Sequence, residues 1–193
     1  VSGNFWIEAP DDPTDVPWNF HRFCNWDDGG KNRWGGMNKH AVADFDDDGY
    51  PDIVLTEAEI PDSRLSLFTR TNEQGIGLWE EHPLNAGIDV PHSLIAADFN
   101  SDNKTDFLVG EMTAGGWDFP MNPNPKLIIY MNRGHRQFNK SVLYEGWGVH
   151  EMHLFPKRYQ NKIMVFAADE IQPQKFNNMN THVSFWLISS GEE

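Results

Sequence analysis

Residues 40–54 read HAVADFDDDGYPDIV and residues 92–109 read HSLIAADFNSDNKTDFLV, and these two stretches decide the fold. Each runs through a histidine, a short apolar segment, an acidic loop and a second apolar segment. The first aspartates of the two loops, Asp44 and Asp98, lie 54 residues apart. Because similarity at a fixed spacing of some tens of residues is typical of repeat proteins, we interpret the chain as an array of similar units.

Two further apolar or aromatic segments follow each acidic loop, at residues 65–68 and 78–82 and again at residues 127–130 and 138–144. Each unit therefore has four short predicted strands with Gly, Asn and Pro at the breaks, and no segment has a convincing helical pattern. This pattern is typical of four-stranded antiparallel blades. We predict an all-β fold of the β-propeller type.

The units are unequally complete. Residues 1–39 are predicted to end a preceding blade and add a loop, and residues 40–91 and 92–149 to form blades with acidic loops. Residues 150–193 are predicted to form an incomplete blade, in which the basic stretch PKRYQNK replaces the acidic loop. This makes about three and a half blades, whereas closed propellers typically have about 4 to 8. We expect a partial propeller that is completed by a second copy, by other chains or within a longer parent chain.

The acidic loops place oxygen atoms at alternate positions, as the calcium loop of an EF-hand does. Calcium takes about 6 to 8 oxygen ligands, and a residue that tolerates positive φ at the sixth position permits the sharp turn. Gly49 and Asn103 occupy that position. The predicted Ca²⁺ ligands are Asp44, Asp46, Asp48, the Tyr50 carbonyl and Asp52 in the first loop, and Asp98, Asn100, Asp102, the Lys104 carbonyl and Asp106 in the second.

The alternative interpretation of each loop is an acidic, solvated turn without a metal ion. The spacing favours two calcium sites, and the position of each loop between the first two strands of a blade indicates a structural role. Loops of this kind, without a regulatory helix pair, fill where calcium is abundant. We therefore expect a secreted or periplasmic protein.

The two loops with their flanking strands resemble the FG-GAP or VCBS repeats of integrin-type propellers and of many secreted bacterial proteins. Further details are similar to the propeller polysaccharide lyases and their relatives. These details are Trp79-Glu-Glu-His82 before Pro91-His92, Ile129-Tyr-Met-Asn132, Gly148-Val-His150-Glu and Phe185-Trp-Leu. The resemblance covers most of the chain, and it implies a carbohydrate-active propeller. The missing third acidic loop departs from the pattern.

Long insertions are predicted on the propeller face opposite the calcium loops, and they are rich in Trp, Asn and Asp. Trp26, Trp34 and Trp117 are candidates for stacking on pyranose rings of a bound glycan. Asn38 and Lys39 are further candidate substrate-binding residues. The alternative is that the tryptophans only pin long loops onto the scaffold.

His40, His92 and His150 each open an inner strand, so we expect them at the mouth of the central funnel, where they can face one ligand. Neutral histidine, with a pKa of about 6.5, is a suitable base for removing the proton next to a uronate carboxylate. Arg33 is the candidate that pairs with this carboxylate. The alternative is that the histidines are structural and recur because the repeats share an ancestor.

Charge limits the range of partners. The 193 residues contain 15 Lys and Arg against 29 Asp and Glu, a formal charge of −14. This balance works against nucleic acid and anionic membranes, and no apolar run is long enough to span a bilayer. An acidic polysaccharide is an awkward partner unless calcium and basic residues invert the local charge. The second hypothesis is therefore a non-catalytic adhesion or assembly module that binds a glycan or a protein.

Overall fold

The described part of the chain consists of strands and their connections, with no helix in it. The computed structural model describes residues 3–26, 39–58, 60–84, 87–113, 122–169 and 182–189. No helix in these ranges is long and apolar enough to cross a membrane. The prediction of an all-β fold is confirmed.

Four antiparallel sheets follow one another along the chain. The leading hairpin has strands β1 (Phe5–Glu8) and β2 (Asn19–Arg22). Blade one has β3 (Lys39–Ala43), β4 (Asp52–Thr56), β5 (Leu65–Thr69) and β6 (Glu80–Pro83). Blade two has β7 (Pro91–Ala97), β8 (Asp106–Glu111), β9 (Lys126–Asn132) and β10 (Phe138–Glu145). The last of the four sheets has β11 (Glu151–Leu154), β12 (Ile163–Asp169) and β13 (His182–Ile188). It is called the third sheet because it follows blades one and two. The predicted four-stranded blades are thus present, together with partial sheets before and after them.

The second strand of each blade is apolar on both faces. β4 reads DIVLT and β8 reads DFLVGE, and every residue of both strands is buried. Strands that are covered on two sides lose the alternation of a half-exposed strand and become continuous apolar runs. The sequence of these strands therefore already indicates that sheets pack on both faces of each blade.

Three apolar cores lie between successive sheets. The first, around Phe23 and Trp79, joins the leading hairpin to blade one. The second, around Phe45 and Phe107, joins blade one to blade two. The third, around Leu108 and Val165, joins blade two to the third sheet. The inner strands β3, β7 and β11 lie side by side, so their amino-terminal ends meet on one side of the molecule and the acidic loops on the other.

Candidate functional site

The first acidic loop, between β3 and β4, folds around its own carboxylates. Asp44 accepts the backbone N–H groups of Asp48 at 3.2 Å and of Gly49 at 2.9 Å. Gly49 has a φ of 88°, which is the left-handed conformation that the glycine position of such a loop requires. Ligand oxygens of Asp44, Asp46 and Asp48 all lie within 4.8 Å of one another. The loop therefore gathers three carboxylates at one point, as the spacing predicts.

Two buried oxygens of this loop fit a divalent cation. Oδ1 of Asp46 and Oδ1 of Asp52 have no hydrogen-bond partner among the described residues. A buried carboxylate oxygen without a donor is costly, and a hard cation is a kind of partner that would satisfy it. Burial, with smaller contributions from the nearby carboxylates of Asp46 and Asp48, raises the pKa of Asp52 to about 7 against the hydrogen bond from the Phe45 N–H. The residues present in the first loop fit Ca²⁺.

The second loop, between β7 and β8, repeats the fold with more internal hydrogen bonds. Asp98 accepts the N–H groups of Asp102 at 3.1 Å and Asn103 at 3.0 Å. Asn103 has a φ of 67°, so asparagine takes the glycine position as expected. The Asn100 amide donates to Asp102 at 3.0 Å, and both oxygens of Asp106 accept backbone N–H groups. Among the described residues, the second loop therefore has fewer buried oxygens without a donor than the first.

An arginine from the neighbouring sheet contacts each loop. Nε of Arg136, in the turn between β9 and β10, lies 3.2 Å from Oδ2 of Asp46. Arg158, between β11 and β12, donates to the Asp98 carbonyl at 2.9 Å and to the Ser101 hydroxyl at 3.1 Å. The acidic loops are thus also contact points between successive sheets.

His92 and His150 meet at the opposite end of the inner strands. Their rings stack with centroids 4.0 Å apart and 11° between the ring planes. Nδ1 of His92 lies 3.0 Å from the His150 carbonyl oxygen. Because a carbonyl can only accept, this contact assigns the proton of neutral His92 to Nδ1 and the basic lone pair to Nε2. The structure therefore brings these two predicted residues together.

Glu151 and Lys39 complete this cluster. Oε1 of Glu151 accepts from the Lys39 ammonium at 2.8 Å and lies 3.8 Å from Nδ1 of His92. Burial raises the pKa of Glu151, but the hydrogen bond and charge of Lys39, with smaller contributions from the two histidines, outweigh it and hold the pKa below its usual value. Sequence reasoning missed Glu151, although its position beside His150 at the start of an inner strand was a usable signal.

The structure does not bring His40 together with His92 and His150. His40 pairs with Leu55, which belongs to the core facing the leading hairpin. Adjacent strand residues point to opposite faces, and it is the neighbouring Lys39 that reaches Glu151. Burial, with a smaller contribution from the Lys39 charge, lowers the pKa of His40. His40 is therefore a largely neutral residue that points away from the histidine pair.

Trp26 does not present a ring for stacking on a sugar, contrary to the prediction. It is only 4% exposed and packs in the core with Phe68. Its indole N–H donates to Glu81 at 3.0 Å, and the Arg64 guanidinium lies 4.2 Å from the ring centroid. The ring closes the gap between the leading hairpin and blade one. The other predicted residues of this face, Arg33, Trp34, Asn38 and Trp117, lie outside the described residues.

The His92 cluster combines groups suited to acid–base chemistry on an anionic substrate. It holds two imidazoles, a carboxylate and an ammonium within a few ångströms, at the amino-terminal ends of the inner strands. Imidazole can take or give a proton near neutral pH, and an ammonium can neutralise a carboxylate. The acidic loops, by contrast, offer only oxygen ligands and lie at the far end of the strands.

Comparison with known proteins gives one family match. Residues 32–109 match the family model described as the FG-GAP-like repeat. This segment contains blade one, both acidic loops, β7 and most of β8. A comparison with curated proteins found no match. The chain carries an FG-GAP-like repeat within residues 32–109, in an all-β, propeller-like fold.

Proposed function

We propose that this chain is a calcium-binding propeller module of a secreted or periplasmic protein, in which two Ca²⁺ ions stiffen the blades. The observation that carries the proposal is the first loop, where three carboxylates converge and two buried oxygens lack a donor. Asp44, Asp46, Asp48, Tyr50 and Asp52 would hold the first ion. The second ion would be held by Asp98, Asn100, Asp102, Lys104 and Asp106.

The proposed secreted or periplasmic location follows from the calcium concentration that such loops need. A loop between two strands has no helix pair to rearrange on binding, so calcium can serve there only as a fixed part of the scaffold. Such sites stay filled where calcium is in the millimolar range, as it is outside cells.

Thermal unfolding with calcium and with EDTA tests this proposal. A ligand that binds only the folded state stabilises it by about 2.7 kcal/mol at one hundred times its dissociation constant, so chelation should lower the melting temperature by several degrees. Asp44→Ala should abolish the part of this shift that comes from the first ion. Asp47→Asn removes the same charge from an exposed, non-ligand position of the same loop, and it should leave the shift unchanged. Equal melting temperatures with and without EDTA would contradict the proposal.

A second candidate function is lyase-like β-elimination on a uronate-containing polysaccharide, and the His92 cluster favours it. Nε2 of His92 would take the proton on the carbon next to the uronate carboxylate. The electron pair of that bond would form the new double bond as the glycosidic carbon–oxygen bond breaks, and protonated His150 would give its proton to the leaving oxygen. Lys39 would neutralise the substrate carboxylate, assisted by Arg33.

The unsaturated product absorbs at about 235 nm, so incubation with a panel of uronate polysaccharides tests this second function. His92→Gln should abolish the absorbance change. His153→Ala is the matched control, because His153 follows His150 on the same segment but is exposed and lies outside the cluster. No absorbance change across the panel would instead favour the module that binds a glycan or a protein without catalysis.

A further inference from the structure

The outer face of the third sheet is apolar and exposed among the described residues. Val183, Phe185 and Leu187 alternate along β13 and are 55%, 62% and 48% exposed. Phe166 of β12 lies directly across from Phe185, with ring centroids 5.2 Å apart. Soluble proteins rarely leave a contiguous apolar patch of this kind in water unless it contacts a partner.

The corresponding face of blade two is buried, and a sheet covers it. In blade two, Ile129 of β9 pairs with Leu108 of β8. This pair corresponds to Phe185 of β13 and Phe166 of β12 in the third sheet. Ile129 is 5% exposed because the third sheet packs on it. The outer face of the third sheet therefore continues the interface by which the sheets already stack, and the occupant it fits is another sheet of the same kind.

The leading hairpin has a second apolar face at the other end of the stack, where no other described strand packs on it. Trp6 and His21 stack on each other, and Trp6 packs on the core toward blade one. Phe5, Ile7 and Phe20 belong to the opposite face of the hairpin by their register. Phe20 is 66% exposed. Within the ranges that the structure describes, two apolar sheet faces are thus open, one at each end of the stack.

Charge makes these two faces complementary. Inside the chain, the β9–β10 turn of blade two brings a basic residue, Arg136, to the acidic β3–β4 loop of blade one. β1 and β2 come directly before the inner strand β3, so they hold the positions of the last two strands of a blade, as β9 and β10 do in blade two. The β1–β2 connection therefore corresponds to the β9–β10 turn. This connection carries the exposed residues Asp11, Asp12 and Asp15. The β11–β12 connection of the third sheet, which corresponds to the acidic loop, carries instead the basic residues Lys157, Arg158 and Lys162.

We propose that two copies of this chain associate head to tail, with the hairpin face of each copy packed on the third-sheet face of the other. The same contact then occurs twice around a twofold axis and closes one ring of blades. Both signs of the charge are reversed at this junction relative to the Arg136–Asp46 contact. The acidic β1–β2 connection of one copy therefore faces the basic β11–β12 connection of the other copy. This match favours a second copy of the chain over a sheet of unrelated sequence.

The mass in solution tests the proposal. Light scattering on the chromatographed wild-type chain at micromolar concentration should give twice 22.2 kDa. Phe185→Glu and Phe20→Glu should each weaken association at least about tenfold, because burying a carboxylate in an apolar contact is costly. Val142→Glu is the matched control, since Val142 is 45% exposed on the outermost strand of blade two and belongs to neither face. This control should remain dimeric.

Two further measurements keep the outcome clear. Circular dichroism and melting should establish that each variant monomer remains folded, so that loss of the dimer reflects the contact. Combining Phe20→Lys with Phe185→Glu should restore part of the dimer, because head-to-tail contact brings the two new charges together. A monomeric wild-type chain, an open polymer, or a dimer that both single variants leave intact would each overturn the proposal.

Discussion

At the scale of single residues, Asp52 and Asp106 hold the same position in the two loops but have different surroundings. Both oxygens of Asp106 accept backbone N–H groups, whereas Oδ1 of Asp52 has no partner among the described residues. Burial is the main cause that raises the pKa of both carboxyls. The pKa of Asp52 reaches about 7, so without a cation this residue favours its neutral form in the folded state.

The free energy of unfolding of the calcium-free protein should therefore fall as pH rises. Asp52 has a pKa of about 3.9 in the unfolded chain and about 7 in the folded chain. Between these two pH values the carboxyl of Asp52 keeps its proton in the folded state but has lost it in the unfolded state. Each rise in pH therefore lowers the free energy of unfolding, and this decrease ends once the pH exceeds the folded pKa of about 7. Denaturant titrations in EDTA at pH 5 and pH 8 measure the difference.

Asp52→Asn is the control for this pH dependence, because an amide of nearly the same shape does not titrate. The variant should lose less stability between pH 5 and pH 8 than the wild type does. Saturating calcium should likewise flatten the wild-type dependence, since the cation favours the ionised carboxylate. An identical pH dependence of the variant and the wild type would show that Asp52 is not the group responsible.

At the scale of elements, Asn132 ties blade two to the acidic loop of blade one. It ends β9 and is 1% exposed. Its amide donates to the Phe45 carbonyl at 2.8 Å and to the Thr105 carbonyl at 3.1 Å, and its Oδ1 accepts from the Gly134 N–H at 2.8 Å. One side chain thus satisfies backbone groups of two blades and of its own turn.

Asn132→Ala should lower the free energy of unfolding by about 2 kcal/mol or more, because it leaves buried carbonyl groups without a donor. Asn139→Ala provides the matched control, since Asn139 is exposed on the neighbouring strand β10 and its loss should change stability little. Urea denaturation of the three proteins measures the effect. Equal midpoints for both variants would mean that the contact between the blades is dispensable.

At the scale of the whole molecule, the sheets form a stack in which each apolar core is shared by two neighbours. The core between the leading hairpin and blade one contains Cys24, the sole cysteine, which is 3% exposed. Burial, followed by smaller contributions that include the Glu81 charge, raises the pKa of its thiol above the usual value. A thiol reacts as the thiolate, so labelling of Cys24 reports the opening of this core.

Labelling of Cys24 by a thiol reagent should be at least about tenfold slower in the folded protein than in the urea-unfolded chain. Trp79→Ala removes a large part of the same core and should accelerate labelling at unchanged pH. Leu143→Ala alters an exposed side chain on blade two and should not. Rapid labelling of the wild type would contradict a firmly docked hairpin.

The sequence by itself determined the strands and the acidic loops, because both depend on local periodicity. Continuous apolar runs such as that of β8 and the alternate oxygens from Asp44 to Asp52 can be recognised without knowing any distant neighbour. The paired histidines were also predictable, since His92 and His150 recur at the same place in successive units.

Only the tertiary structure decided which side chains face one another across the sheets. Trp26 is a core residue because the leading hairpin and blade one close around it, and His40 points away because strand alternation sends Lys39 to the cluster instead. Glu151 and Lys39 are 112 residues apart along the chain yet 2.8 Å apart in space. Such contacts depend on how sheets twist and stack, and no local pattern in the sequence encodes them.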